Sequence, residues 1–153
     1  MRYLKSSLMN AAWKGHTEIV NLLLARGADL EVKDKRGMTG LMFAAWENHT
    51  DILKLLLEKG ASVDARDENK WTAMMRAAVK GHTESMLMLL EKGADVNAAS
   101  SEGDTALIRA AQGVQLPAHY NEDSVYLLIE LDNDLTLFGG APLATGEYTS
   151  LLR

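Results

Sequence analysis

The stretch Thr39-Gly-Leu-Met-Phe-Ala-Ala-Trp-Glu-Asn-His-Thr-Asp-Ile-Leu-Lys-Leu-Leu-Leu-Glu-Lys-Gly60 decides the fold. It offers a capping hydroxyl, Thr39, followed by a short apolar helix that runs to Trp46. From His49 a second helix follows. Thr50 and Asp51 open it at the positive end of the helix dipole, and Lys59 closes it at the negative end. Gly60 supplies the left-handed terminator that such an end favours. On either side of this pair lies a polar connector, as in Ala28 to Met38, where Asp34 and Gly37 give a turn composition. One unit is thus a helix, a tight turn, a second helix and a hairpin-like loop.

Outward from this stretch, the same letters return at a fixed step of 33. Ala11-Ala12 recurs as Ala44-Ala45, Ala77-Ala78 and Ala110-Ala111, and the series Gly27, Gly60, Gly93 keeps the same step. So do His16, His49, His82 and Leu23, Leu56, Leu89, as well as Thr39, Thr72, Thr105. A period of this size marks a solenoid, in which each unit buries its apolar face against its neighbours. Met9, Met42 and Met75 share the step, which assigns them to packing between units.

The pattern resembles the ankyrin repeat. Gly37-Met-Thr-Gly-Leu and Gly103-Asp-Thr-Ala-Leu match the family's loop-to-helix segment. Ala11-Ala-Trp-Lys-Gly-His and Ala77-Ala-Val-Lys-Gly-His match its inter-helix turn, and Leu89-Leu-Glu-Lys-Gly-Ala-Asp-Val-Asn its second helix and exit. The resemblance covers roughly residues 5–111 and implies an all-α solenoid of stacked helix-turn-helix units. Three departures carry expectations. Ser7, Gly40, Ala73 and Ala106 replace the family proline, so the first helices should begin less rigidly, Gly40 most of all. Lys70 replaces a loop glycine, which predicts a reshaped loop between the second and third units. Asn48 replaces the inter-helix glycine, a mild change because asparagine accepts that conformation.

Units of about 1–34, 35–67 and 68–100 are followed by a fourth, 101–136, which carries an insertion. Its second helix, Ser124-Val-Tyr-Leu-Leu-Ile, returns at a shift of 39, so six extra residues fall within Val114–Glu122. Residues 137–153 read as an irregular cap or as the start of a fifth unit in a longer array, the second being favoured. The charge also changes here: residues 1–110 hold 15 basic and 15 acidic groups, whereas 111–153 hold one basic and six acidic. An acidic end of this kind suits a cap that discourages further stacking.

Composition narrows the function classes. Without cysteine there is no disulfide framework, thiolate metal site or cysteine nucleophile. No run of 18 apolar residues exists to span a membrane, no basic stripe suits nucleic acid, and the start has no secretory stretch. A cytoplasmic chain, with a nuclear one as the alternative, and a monomer in preference to an oligomer are the expectation. His16, His49 and His82 recur once per unit, too far apart to share a metal. The resemblance makes them structural, bonding backbone groups of adjoining loops. No carboxylate pair, phosphate loop or cofactor motif is present. The sequence therefore predicts a non-catalytic chain that needs no cofactor.

What the resemblance implies instead is a protein or peptide partner held on the concave side, built from loop tips and the exposed face of each first helix. The positions carried over are Trp13 and Lys14 in the first unit, and Arg36, Met38, Phe43, Trp46 and Glu47 in the second. Asn69, Trp71, Arg76 and Lys80 follow in the third, and Arg109 in the fourth. Trp13 and Trp46 should lie side by side, with Trp71 and Met38 on equivalent loop tips. Arg36, Arg76 and Lys80 would select acidic or polar groups. Clustered aromatics and arginines are the residues from which binding hot spots are made. The competing readings are that the tryptophans only cover helix ends, and that the chain is a spacer or a self-associating segment.

Overall fold

A computed structural model of the protein describes residues 2–112, with side chains from Ser7 onward. The insertion, the second helix of the fourth unit and residues 137–153 lie outside the described residues. Four first helices, α1 (Arg2–Lys14), α3 (Gly40–Trp46), α5 (Ala73–Lys80) and α7 (Ala106–Gln112), alternate with three second helices. These are α2 (Thr17–Ala25), α4 (Thr50–Glu58) and α6 (Thr83–Glu91). Each first helix packs against the next one along the stack, and each second helix does the same in a parallel layer. The described elements are all helices.

The local chemistry is that of the sequence. Thr39 and Thr72, both buried, accept from the backbone N–H of Met42 and Met75 at 3.4 and 3.3 Å. Gly27, Gly60 and Gly93 take positive φ, and the following N–H returns to a carbonyl five residues back, as in Ala61 to Leu56 at 3.0 Å. Helices of seven to nine residues are marginal alone, so packing must hold them. The alanine pairs at 11–12, 44–45 and 77–78 are buried and let the first helices approach closely. Met42, Met75, Leu53, Leu56, Met86 and Leu89 fill the space behind them.

One expectation about the loops needs correction. Lys70 does adopt a left-handed backbone, φ 59°, yet its loop is not reshaped. Its N–H reaches Asp67 O at 3.0 Å, as Gly37 reaches Asp34 and Gly103 reaches Ser100. The carboxylate of Asp67 explains this: Oδ1 accepts from the N–H groups of Asn69 and Trp71, at 2.8 and 2.9 Å. Asp34 makes the same clamp in the preceding loop, and the hydroxyl of Ser100 makes it in the next. Side-chain clamping of this strength overrides the preference of one residue. α1 differs from the other first helices in beginning at Arg2, five residues ahead of Ser7, the position equivalent to Gly40 and Ala73. At the positions of Asp34 and Gly37 this segment has Met1 and Leu4, so the residues that stop a helix there are missing. Asn48 takes φ 57°, as its type permits.

The second and third units dock onto the units before them through repeated contacts. His49 Nε2 donates to Trp13 O at 2.9 Å, and His82 Nε2 to Trp46 O at 3.0 Å. The N–H of Ser62 reaches the Glu31 carboxylate at 2.7 Å, and that of Asp95 reaches Asp64 at 3.0 Å. On the second helices, Ile52 is wholly buried, and Ser85 at the same position donates to Asn48 Oδ1 at 2.7 Å. Loop tips are tied as well, Glu68 N to Arg36 O at 3.0 Å and Ser101 N to Asn69 O at 2.9 Å. In the first unit the equivalent residues lack such partners among the described residues: Ile19 is 48% exposed, and the His16 ring is unbonded.

Candidate concave binding groove

The loop tips and the first helices together wall a cavity of about 460 Å³. Trp13, Phe43 and Trp46 line it, with Met38 at its floor and Arg36, Glu47, Arg76 and Asn10 around its rim. Seven of the residues singled out from the sequence therefore meet in one place, and Asn10 joins them. Asn10 precedes Phe43 by 33, so the period alone could have identified it. A smaller hollow of about 310 Å³ on the second helices is lined by charged and polar groups around Leu55. Of these two hollows among the described residues, the first has the aromatic walls.

Trp13 is the open wall, 48% exposed, and its Nε1 donates to Glu47 Oε1 at 3.2 Å across the unit boundary. Trp46 is half-buried. Its indole carries the Arg76 guanidinium at 5.3 Å and the Lys80 ammonium at 4.9 Å. Arg76 lies also over Trp71, at 4.5 Å, and Arg109 covers Trp71 at 4.3 Å. Indoles and guanidinia thus alternate along the groove as Trp46, Arg76, Trp71, Arg109. Such contacts are worth about 0.5–2 kcal/mol each, more where water is excluded. The Nε atoms of Arg76 and Arg109 are buried without a hydrogen-bond partner among the described residues.

Three placements differ from the expectation. Met38 is not a tip residue but is buried, because its N–H is drawn onto Asp34 and its side chain turns under Phe43 and Trp46. Arg76 is not a free cation: it forms an ion pair with the buried Asp67 carboxylate. Arg109 likewise binds Glu102 at 2.6 Å and Asp104 at 2.9 Å, and bonds Gln112 at 3.2 Å. The spacing that joins Trp71 to Arg76, a loop tip five residues ahead of a helix position, recurs in Asp104 and Arg109. That offset marks only the Trp71–Arg76 and Asp104–Arg109 contacts; the Asp67–Arg76 and Glu102–Arg109 pairs span nine and seven residues and share no spacing. Arg36 remains outward, its side chain 75% exposed and only 3.9 Å from Asp34. Lys14, Asn69, Trp71, Lys80 and Arg109 lie outside the aromatic cavity lining, although Lys80, Trp71 and Arg109 extend the ladder.

His49 and His82 act between units. Burial is the largest influence on His82 and holds its pKa below the usual histidine value; nearby Lys80 adds to this, and the Trp46 carbonyl partly opposes it. Burial favours the neutral ring, which donates to that carbonyl when its proton is on Nε2. Among the described residues no group of three or more His, Asp or Glu side chains could hold a metal ion. No helix among them is long and apolar enough to cross a membrane.

A family model of ankyrin repeats in three copies matches residues 8–100, and a second, of ankyrin repeats in many copies, matches residues 74–129. No curated protein gives a significant match to the chain.

Proposed function

Since the chain belongs to the ankyrin repeat family, whose members are in general protein-interaction modules without catalytic activity, we propose that it binds a partner protein through its concave groove. The observation that carries this reading is the cavity between Trp13, Phe43 and Trp46. It is aromatic, open to solvent at Trp13, and walled by side chains that contact neighbouring groups. Trp46 is held by Arg76 and Lys80, and Trp13 by Glu47. A site held in this way loses little side-chain freedom when it binds, which favours affinity. An apolar side chain of the partner fills the cavity, and the polar rim fixes its register.

Trp13→Ala is the clean test, because half of that side chain already faces water and its loss leaves the core untouched. Affinity capture with the wild-type chain should retain a partner that the Trp13→Ala and Trp46→Ala chains lose. The thermal midpoint of Trp13→Ala should stay within about 2 °C, as for a surface substitution. Retention of the same proteins by both variants would remove the groove as the binding site.

A further inference from the structure

Resting on the groove reading, we infer that the occupant is an extended peptide segment with polarised charge: an acidic residue beside its apolar anchor and a basic residue some six positions away. The groove itself is polarised. One loop-tip position reads Arg36, Asn69, Glu102 through successive units, a cation, a neutral amide and an anion. Both end members face solvent, with side chains 75% and 73% exposed.

The surrounding tips reinforce the gradient. Residues 33–38 hold three cations against Asp34, for a net of +2. Residues 66–71 hold two cations, Arg66 and Lys70, against Asp67 and Glu68, for a net of zero. Residues 99–104 hold Glu102 and Asp104 with no cation, for a net of −2. The arginines on the helices do not cancel this slope. Arg76 is consumed by Asp67, and the single guanidinium of Arg109 is shared by two carboxylates, which leaves that end negative.

Geometry then sets the spacing. Packed helices lie about 8–10 Å apart, so the Arg36 and Glu102 tips are separated by roughly 20 Å. An extended chain advances about 3.3 Å per residue, and about six residues cover that span. Arg36 itself borders the aromatic cavity, so the acidic residue must adjoin the anchor. A segment placed the other way round would set like charges against each other at both ends, and complementarity of this kind selects orientation and speeds encounter. Tip-to-tip backbone bonds occupy Arg36 O and Asn69 O, so side chains do the reading.

A random dodecapeptide phage library panned on the full chain supplies the test. Recovered peptides should carry an aromatic or long aliphatic residue next to Asp or Glu, with Lys or Arg about six residues distant. For a synthetic peptide of that consensus, Arg36→Glu should weaken binding about tenfold and Glu102→Lys several-fold. Changing the peptide's acidic residue to lysine should rescue Arg36→Glu and not the wild type. Peptides that need Trp13 but are indifferent to both charge reversals, or that place a base beside the anchor, overturn the inference and leave the groove standing. Peptides that bind equally well to Trp13→Ala defeat the groove reading itself. Failure of the library to yield any binder overturns the extended-peptide occupant.

Discussion

At the scale of single residues, two side chains do work that their type would not suggest. His82 joins the third unit to the second through the Trp46 carbonyl, and burial keeps its pKa below about 6.5, the ordinary value. The unfolded chain therefore takes up this proton at a higher pH than the folded one. His82 contributes its full stability above the unfolded value, and that contribution is lost as the pH falls through the folded value. Between pH 7.5 and 5.5 the wild-type thermal midpoint should drop, and His82→Gln should flatten that slope; parallel slopes would remove the assignment. Lys70 is the second case. Its left-handed backbone costs roughly 1–2 kcal/mol, which glycine would not incur. Lys70→Gly should raise stability in urea by about 1 kcal/mol, glycine's greater freedom in the unfolded chain offsetting part of the gain.

Among the elements, the first helices carry both the core and the groove, and their starts are the adjustable part. Gly40 opens α3 with an ordinary backbone, and a Cβ there would meet Ala12, Leu56 and Leu8 at 3.8–3.9 Å, normal van der Waals contact. Gly40→Ala should therefore stabilise by about 0.5–1 kcal/mol. Gly37, three residues earlier, has positive φ, and a Cβ would lie 2.9 Å from the Glu68 backbone nitrogen. Gly37→Ala should destabilise, and chemical denaturation of the two variants side by side will show the opposite signs. This pair also marks how far the sequence could be read. The period of 33 located the helices, their threonine caps and the aromatic wall, since each depends on residues close in the chain or repeated along it. Met38 escaped because its burial depends on the Asp34 clamp drawing the loop inward. The Arg76–Asp67 and Arg109–Glu102 pairs escaped because periodicity ranks positions by equivalence, and these pairs join a loop position to a helix position within a unit.

For the whole molecule, stability is a sum over units and the interfaces between them. The first unit has one such interface among the described residues, whereas the second and third have two. Ile19 and the His16 ring have no counterpart to the partners that Ile52 and His49 possess. Opening of α1 and α2 thus requires the loss of one interface, and opening of α4 requires two. Amide hydrogen exchange should run fastest in Arg2–Ala25 and be slowest in α3 to α6. Uniform protection across all of these helices would contradict the additive picture. This gradient bears directly on recognition, because Trp13 belongs to the unit that opens first while Trp46 and Phe43 belong to the one that opens late. The aromatic cavity therefore has one fixed wall and one hinged wall. A ligand seated between them would hold the first unit closed, and occupancy would be visible as slowed exchange at α2 amides that the ligand never touches.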